Sequence, residues 1–258
     1  MKGNIKMGDF LNSFKESLLL GWEDFKADFI LNFIKDDRWK LLAEGLGATL
    51  QITAFAVLVG IFIGVLIAII RSTYDKNGNK MHGVSAFIMK LLNGICKVYL
   101  TVIRGTPVVV QLLIMYFIIF RTSNDKLMVS VLAFGINSGA YVAEIFRSGI
   151  MSIDGGQMEA GRSLGLNYAQ TMIYIIIPQA FKNVLPTLAN EFIVLLKETS
   201  VAGYIGMMDL TRAGDMIRGV TFTAMMPLIA VAIIYLVIVM ILTKLVSLLE
   251  RRLRNSER

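Results

Sequence analysis

Long blocks of hydrophobic residues alternate with polar stretches along most of the chain. Five of these blocks are strongly apolar, at residues 48–70, 98–120, 127–146, 171–196 and 223–243. A transmembrane helix needs about 20 predominantly apolar residues, and each block has that length. The pattern predicts an all-α integral membrane protein with about five transmembrane helices, within a transmembrane domain at residues 48–250.

Glycine and proline interrupt several of these blocks. Gly105 and Pro107 break the second block, and Pro178 and Pro186 lie in the fourth. Proline removes a backbone donor and bends a helix, so both blocks are expected to contain a break. The first block carries two glycines four positions apart, a spacing that lets two helices approach closely.

Charged residues collect at the ends of the apolar blocks. Residues 1–47 mix acids and bases with apolar side chains at roughly helical spacing, namely Phe10, Phe14, Leu18, Phe25, Phe29 and Phe33. This pattern predicts an amino-terminal interfacial segment on the membrane surface. The loop after the first block and the tail at residues 251–258 are basic. Because basic loops stay in the cytoplasm, we expect the amino terminus outside and the carboxyl terminus inside.

Composition narrows the class of protein further. The chain is 55% hydrophobic and 17% charged, with a formal charge of +7. Soluble domains carry about a quarter charged residues, so the low charged fraction indicates an integral membrane protein. The surplus cations lie at the ends of the apolar blocks and are therefore assigned to cytoplasmic loops and not to nucleic-acid binding. A single cysteine and a single histidine supply neither a disulfide framework nor a Cys/His metal site. The sequence has no phosphate-binding G-x-x-x-x-G-K-[ST] motif, so any ATP is expected to bind to another polypeptide.

The polar stretch between the third and fourth blocks carries two helix-start signals. Asp154 with Gln157, and Asn167 with Gln170, have the spacing of a capping residue and its amide three positions later. Gly165 is placed to end the first helix in a left-handed conformation. The stretch therefore predicts a short helix at about residues 155–164, a tight turn, and a new helix entering the membrane.

Two uses of this short helix remain open from the residues alone. Its small side chains, Ala160 and Gly161, permit close approach of another protein, which would suit a knob docking in a partner's groove. An ordinary connector that only caps two helices would have the same start and stop signals.

The same stretch resembles the EAA loop of permease subunits of ATP-binding cassette (ABC) transporters. Glu159-Ala160-Gly161 is followed after three residues by Gly165, and after nine more by three isoleucines and Pro178. Two positions depart from the family pattern, with glycine for the second alanine and isoleucine for leucine. Residues 104–117, 137–150 and 196–214 are similar to polar amino-acid permeases of the histidine, glutamine and arginine uptake type, and the resemblance covers roughly residues 45–255.

The resemblance implies a type I ABC importer permease in the cell membrane, with the short helix as a cytoplasmic coupling helix. It implies docking to the ATPase through Glu159, Ala160, Gly161, Leu164 and Gly165. The implied partners are a second permease subunit, two ABC subunits that bind ATP and Mg²⁺, an extracytoplasmic solute-binding protein and an amino-acid substrate. No cofactor is expected on this chain. The glycine-bearing faces of the first two spans are expected to contact the second subunit.

Polar residues inside the spans are the candidates for substrate binding, because burying them in a membrane is costly. They are Asn137, Ser138, Glu191, Lys197 and Glu198, the last three at the outer end of the fourth block. An amino-acid zwitterion needs a cation or amide for its carboxylate and acidic oxygens for its ammonium group. A structural pair between Glu191 and Lys197, or a Lys197 that reaches to the interface, remains an alternative.

Three other residues are expected to be structural. Glu144 and Arg147 stand three apart and are expected to pair near the cytoplasmic surface. Arg104 is interpreted as an anchor beside the Gly105–Pro107 break. One alternative function is an ion-coupled secondary transporter or channel subunit, with Glu191 as the coupling site. The apolar blocks contain no constellation that would predict a membrane-bound enzyme.

Overall fold

The computed structural model describes residues 21–77 and 81–255, which contain helices and no strand. The helices are α1 (Trp39–Asn77), α2 (Gly83–Gly105), α3 (Val108–Ile119), α4 (Lys126–Met151), α5 (Gly155–Ser163), α6 (Tyr168–Ile205), α7 (Leu210–Thr221) and α8 (Met225–Asn255). Five of them, α1, α2, α4, α6 and α8, are long and apolar enough to cross a membrane. This confirms the all-α fold with five candidate spans. The orientation of the termini stays a prediction.

Helix α1 begins at Trp39, before the expected start at residue 48, so the boundary drawn at residue 47 falls inside a helix. Residues 21–29 are also helical, followed by a π-helical turn at Ile30–Ile34 and a 3₁₀ turn at Lys35–Asp37. Phe33 is buried against α7 and α8, whereas Trp22 and Phe29 are exposed. Phe10, Phe14 and Leu18 lie outside the described residues. The interfacial role of residues 1–47 stays a prediction.

The expected second span, residues 98–120, is wrong in its bounds. The spanning helix is α2, which begins at Gly83 and ends at Gly105, and α3 is a separate short helix. Thr106 has an extended backbone because the ring of Pro107 disfavours a helical residue before it. Lys90 and Lys97 lower the hydropathy of the part of α2 before residue 98, which is why the apolar run alone starts the span too late.

Helix α6 continues beyond the expected end of the fourth span. It includes a π-helical turn at Met172–Ile176, an α-helical part at Ile177–Glu198 and a 3₁₀ part at Thr199–Ile205. Gly206 then ends it with a φ of 71°, in the left-handed region. Lys197 and Glu198 lie at the end of the α-helical part, before the 3₁₀ part, and the assignment of this end to the outer side stays a prediction.

The most extensive helix–helix contact in the described part of the chain joins α1 and α4. A Cβ added to Gly64 would lie 2.5 Å from Val142 Cγ1, and one added to Gly135 would lie 2.7 Å from Val59 Cβ. Gly60 likewise faces Ser138. The glycines of the first span therefore allow contact within the chain, and the expectation that they face a second subunit was wrong.

Two ends of the helix bundle can be distinguished. At one end, called here the α5 end, Arg147 of α4 forms an ion pair with Asp75 of α1 at 3.5 Å. At the opposite end, Lys126 Nζ donates to the carbonyl of Gly206 at 3.3 Å, and the Leu210 amide donates to Thr49 Oγ1 at 3.1 Å. The largest buried apolar cluster lies in the half towards this opposite end and includes Ile52, Leu112, Phe134, Leu195, Ala202 and Ile205.

Candidate functional site

Helix α5 is closed at both ends by bonds within its own sequence. Asp154 Oδ1 accepts from the Gly156 amide at 2.6 Å, which confirms the predicted cap. At the other end, the Gly165 amide donates a hydrogen bond to the Arg162 carbonyl at 3.0 Å, and the Leu166 amide donates one to the Gly161 carbonyl at 3.2 Å. This pair of bonds is a Schellman motif, and Gly165 supplies its left-handed residue with a φ of +86°.

The helix that follows begins with the predicted capping box. Asn167 Oδ1 accepts from the Gln170 amide, and Gln170 Oε1 accepts from the Asn167 amide, both at 2.9 Å. Gln157 does not complete a matching box at the start of α5. Its side-chain oxygen instead accepts from Gln179 Nε2 of α6 at 3.3 Å. Asn167 and Gln170 therefore form the expected capping box. Asp154 caps α5 as expected, whereas Gln157 connects α5 to α6.

Helix α5 is fastened to both neighbouring spans. A Cβ added to Gly161 would lie 2.5 Å from Thr171 Cγ2, so this glycine lets α5 lie directly against α6. Asn183 Nδ2 of α6 donates to Ser152 Oγ, after α4, at 3.3 Å. Met158 of α5 packs against a buried cluster from α4 and α6. Helix α5 therefore packs directly against α6 and contacts α4 through the cluster that includes Met158.

The five predicted docking residues differ in where they point. Glu159, Ala160 and Leu164 are exposed, and Leu164 has 80% of its side-chain surface free. Gly165 is exposed in the turn. Gly161 is buried against α6, because its close approach is to its own chain, so presenting it to a partner was wrong. Glu159 and Ala160 lie on the exposed face of α5, and Leu164 and Gly165 lie just after its end at Ser163.

A polar cluster lies midway along α4. Ser138 Oγ donates to Glu191 Oε1 of α6 at 3.1 Å, and Asn137 Nδ2 donates to Gln111 Oε1 of α3 at 2.9 Å. Asn137 and Ser138 are buried. The structure thus brings together three of the five predicted substrate residues, from two helices, and adds Gln111 from a third.

Gln111 was missed by the sequence analysis. Its amide group donates to the carbonyl of Ile103 at 2.8 Å, and to the carbonyl and hydroxyl oxygens of Thr106 at 3.1 and 2.8 Å. These carbonyls are free because α2 ends at Gly105, and irregular backbone inside a membrane needs such partners. A glutamine inside the apolar run after Pro107 was the signal that could have found it.

Lys197 and Glu198 stand apart from this hydrogen-bonded set. Glu198 is seven residues from Glu191 on the same helix, is partly buried, and lies within electrostatic range of both Glu191 and Lys197. Lys197 is exposed and forms no ion pair with any described residue. The alternative of a structural pair between Glu191 and Lys197 is not found among the ion pairs of the described part of the chain.

The charged residues nearer the α5 end behave as predicted. Arg147 Nη2 lies 2.6 Å from Glu144 Oε1, which confirms that pair, and Arg147 also reaches Asp75. Arg104 lies over the ring of Tyr141, with 5.7 Å between its Cζ and the ring centroid. The role of Arg104 as a cytoplasmic-end anchor beside the break stays a prediction.

Known proteins match the chain over most of its length. The family model described as the binding-protein-dependent transport system inner membrane component matches residues 81–255. The chain belongs to this family. It is 36% identical over 220 residues to the arginine transport system permease protein ArtQ of Bacillus subtilis, covering 84% of the chain and 94% of ArtQ. It is 37% identical over 218 residues to the glutamine transport system permease protein GlnP of Escherichia coli K12, covering 83% and 93%.

Solved structures match the fold of this permease. A crystal structure of an amino acid ABC transporter with histidines is 43% identical, with a TM-score of 0.74, and covers 85% of the chain and 98% of the matched chain. An inward-facing structure of the MetNI methionine ABC transporter is 17% identical, with a TM-score of 0.70, over 83% and 97% of the two chains, and supports the fold alone. Membership of this transport family confirms the ABC permease family inferred from the EAA-type spacing. It favours an ABC importer subunit over an ion-coupled transporter.

Proposed function

We propose that this permease is the membrane subunit of an ATP-driven, binding-protein-dependent amino-acid importer. The observation that carries the proposal is the rigid α5, capped at both ends, exposed on one face and fastened to two spans. Its relatives belong to arginine and glutamine transport systems, and the matched crystal structure is of an amino acid ABC transporter. A helix of this kind suits the transfer of mechanical work from a separate protein into the membrane.

The α5 end faces the cytoplasm in this proposal. Cations are concentrated there, at Arg71 and Arg147 near the ends of two spans, Arg162 on α5, and Lys244 and Arg251 on α8. The positive-inside rule assigns such an end to the cytoplasm. With five spans, the amino terminus then lies outside and the carboxyl terminus inside.

The exposed face of α5 docks in a cleft of an ABC subunit, which binds ATP and Mg²⁺. Glu159 supplies the charged contact and Leu164 the apolar one. When two ABC subunits close on ATP, α5 moves with them. Because Gly161 and the Gln157–Gln179 bond join α5 to α6, the motion reaches the span that carries Glu191. The docking site and the polar cluster thus share one helix.

The substrate binds at the polar cluster midway along α4. Glu191 and Glu198 provide carboxylate oxygens for the ammonium group of an amino acid. Lys197, and the amides of Asn137 and Gln111, supply donors for its carboxylate. Charged side chains inside a membrane are expensive and mark substrate pathways, and helix breaks at that depth expose groups that bind charged ligands. The break between α2 and α3 ends beside Gln111.

The proposed complex contains a second permease subunit, identical or related, two ABC subunits and an extracytoplasmic solute-binding protein. Five spans do not enclose a pathway alone, so the substrate passes between two subunits. The test is uptake of labelled amino acids into proteoliposomes holding the purified complex. We expect uptake to require ATP on the side of the membrane that carries the ABC subunits and the binding protein on the other side. Uptake driven by an ion gradient without ATP would contradict the proposal.

A further inference from the structure

A second polar pocket lies closer to the α5 end, between α1, α2 and α4. Its volume is about 470 Å³, and its charged lining residues are Arg71, Lys97, Arg104 and Glu144. Three cations therefore face one acid, and that acid already pairs with Arg147 at 2.6 Å. The pocket does not include Gln111, Asn137, Ser138 or Glu191. It is separate from the proposed substrate site and has an excess of positive charge.

The cations of this pocket share a single acid, because Glu144 lies within electrostatic range of both Arg71 and Arg104. Arg71 Nε is buried and has no hydrogen-bond partner among the described residues. Arg71, Lys97 and Arg104 form no ion pair within the described residues, and Arg104 lies over the ring of Tyr141. Arg71 is partly buried, Lys97 and Arg104 are exposed, and a buried charged donor without a hydrogen-bond partner is more costly than an uncharged one. The pocket is therefore built to receive an anion.

An apolar groove runs along the neighbouring face of α2. Its volume is about 780 Å³, and it is lined mainly by hydrophobic side chains, including Phe87, Leu91, Val98 and Val102. Lys90 lies at its end nearer the start of α2. The groove and the polar pocket lie at the same turns of α2, where Val98 and Val102 line the groove and Lys97 and Thr101 line the pocket. An anion that carries a hydrocarbon chain would fill both spaces.

The pocket lies between the polar cluster and the α5 end of α4. Glu144 lies seven residues before Met151, the last residue of α4, which corresponds to about 10 Å along a helix. Long cationic side chains at this depth extend towards the interface while their stems stay in apolar surroundings. Guanidinium and ammonium groups bind phosphate oxygens through charge-assisted hydrogen bonds.

We propose that this pocket binds the phosphate of an anionic phospholipid from the leaflet on the α5 side, with an acyl chain in the adjoining groove. The inference depends on the proposed function only for naming that leaflet cytoplasmic. The bound lipid neutralises Arg71, Lys97 and Arg104. It also fills the groove along α2, just before the break that Gln111 bridges, and so supports the geometry of that break.

Native mass spectrometry of the purified complex, with its partner and ABC subunits, tests the proposal. Phosphatidylglycerol and phosphatidylcholine with identical acyl chains are titrated in parallel. We expect tighter binding of phosphatidylglycerol, and a loss of about fivefold for each of Arg71→Gln and Lys97→Gln, from the usual value of a cation near an anionic lipid. Lys244→Gln, an exposed cation on α8 at the same end, is the matched control and should bind as the wild type does.

Several outcomes would overturn the proposal. They are equal binding of the two lipids, equal effects of Lys97→Gln and Lys244→Gln, displacement of the lipid by inorganic phosphate or by the amino-acid substrate, and a Val98→Cys variant that crosslinks to a second copy of the chain. Size-exclusion chromatography verifies that each variant assembles. ATP-driven uptake by the wild type is measured separately, so failure of lipid binding and failure of the importer function are distinguishable.

Discussion

Helix α5 and the polar cluster are held together in opposite ways. Bonds that shape α5 join residues two to five positions apart, such as Asp154 to Gly156 and Gly161 to Leu166. The bonds of the cluster join residues 26 and 53 positions apart, Gln111 to Asn137 and Ser138 to Glu191. The first region is a small body whose stiffness is local. The second exists only when three helices are in register.

This difference suits the two proposed tasks. In the proposed function α5 acts as a lever. A lever has to keep its shape while it moves, and hydrogen bonds between residues close in sequence are kept during such a movement. A substrate site that opens alternately to two sides has to change the distances between helices, and bonds between helices can be exchanged for bonds to a ligand. Four substitutions test whether the two regions behave in these two ways.

The largest effect is expected from Gly161→Val, at the joint between lever and span. Its Cβ would lie 2.5 Å from Thr171 Cγ2, so α5 has to move away from α6. Overpacking of this kind costs about 1–3 kcal/mol. We expect ATP-driven uptake to fall about 5- to 150-fold, which corresponds to the same free energy, measured in proteoliposomes beside ATP hydrolysis. The control is Gly155→Val, where no atom lies within 4 Å of the added Cβ. Equal uptake by the two variants would contradict the close joint.

Glu191→Gln removes the charge from the polar cluster and leaves its size unchanged. A hydrogen bond to a charged group contributes about 1.5–3 kcal/mol, so we expect substrate affinity to fall about 10- to 100-fold. Basal ATP hydrolysis should persist, because the lever is untouched. The substrate dependence of uptake gives the apparent affinity. Asn190→Asp, at an exposed neighbouring position, is the control, and an unchanged affinity in Glu191→Gln would remove Glu191 from the site.

Gln111→Leu tests the bonds across the helix break. The variant leaves the carbonyls of Ile103 and Thr106 and the amide of Asn137 without their partner, at a cost of about 1–3 kcal/mol in stability. Thermal unfolding of the purified complex measures the loss. Replacing both partners of a buried bond is nearly neutral, so the double variant Gln111→Leu with Asn137→Leu should recover part of it. Additive losses would show that the Gln111–Asn137 bond contributes nothing.

The same contrast explains how much of the molecule could be predicted from its sequence. The caps at Asp154 and Asn167 and the turn at Gly165 depend on neighbouring residues, and each was predicted correctly. The partner of Gly64 is Val142, and that of Gln111 is Asn137, choices that only the packed helices determine. The start of α2 was missed because lysine side chains lower the mean hydropathy of a helix that also carries apolar residues. Five spans, a longer-range feature, were still evident because each depends on length and composition alone.

The smallest effect is expected at Gly165, which separates the shape of the turn from the packing of the helix. Its φ of +86° is open to glycine, whereas a residue with a side chain pays about 1–2 kcal/mol there. Because no atom lies within 4 Å of an added Cβ, the cost of Gly165→Ala comes from the backbone alone. Asparagine tolerates left-handed conformations better, so Gly165→Asn should retain more uptake than Gly165→Ala, with Gly165→Val the worst. If the three variants transported equally, the turn would be free to reshape, and the stiffness of the lever would have to come from its contact with α6.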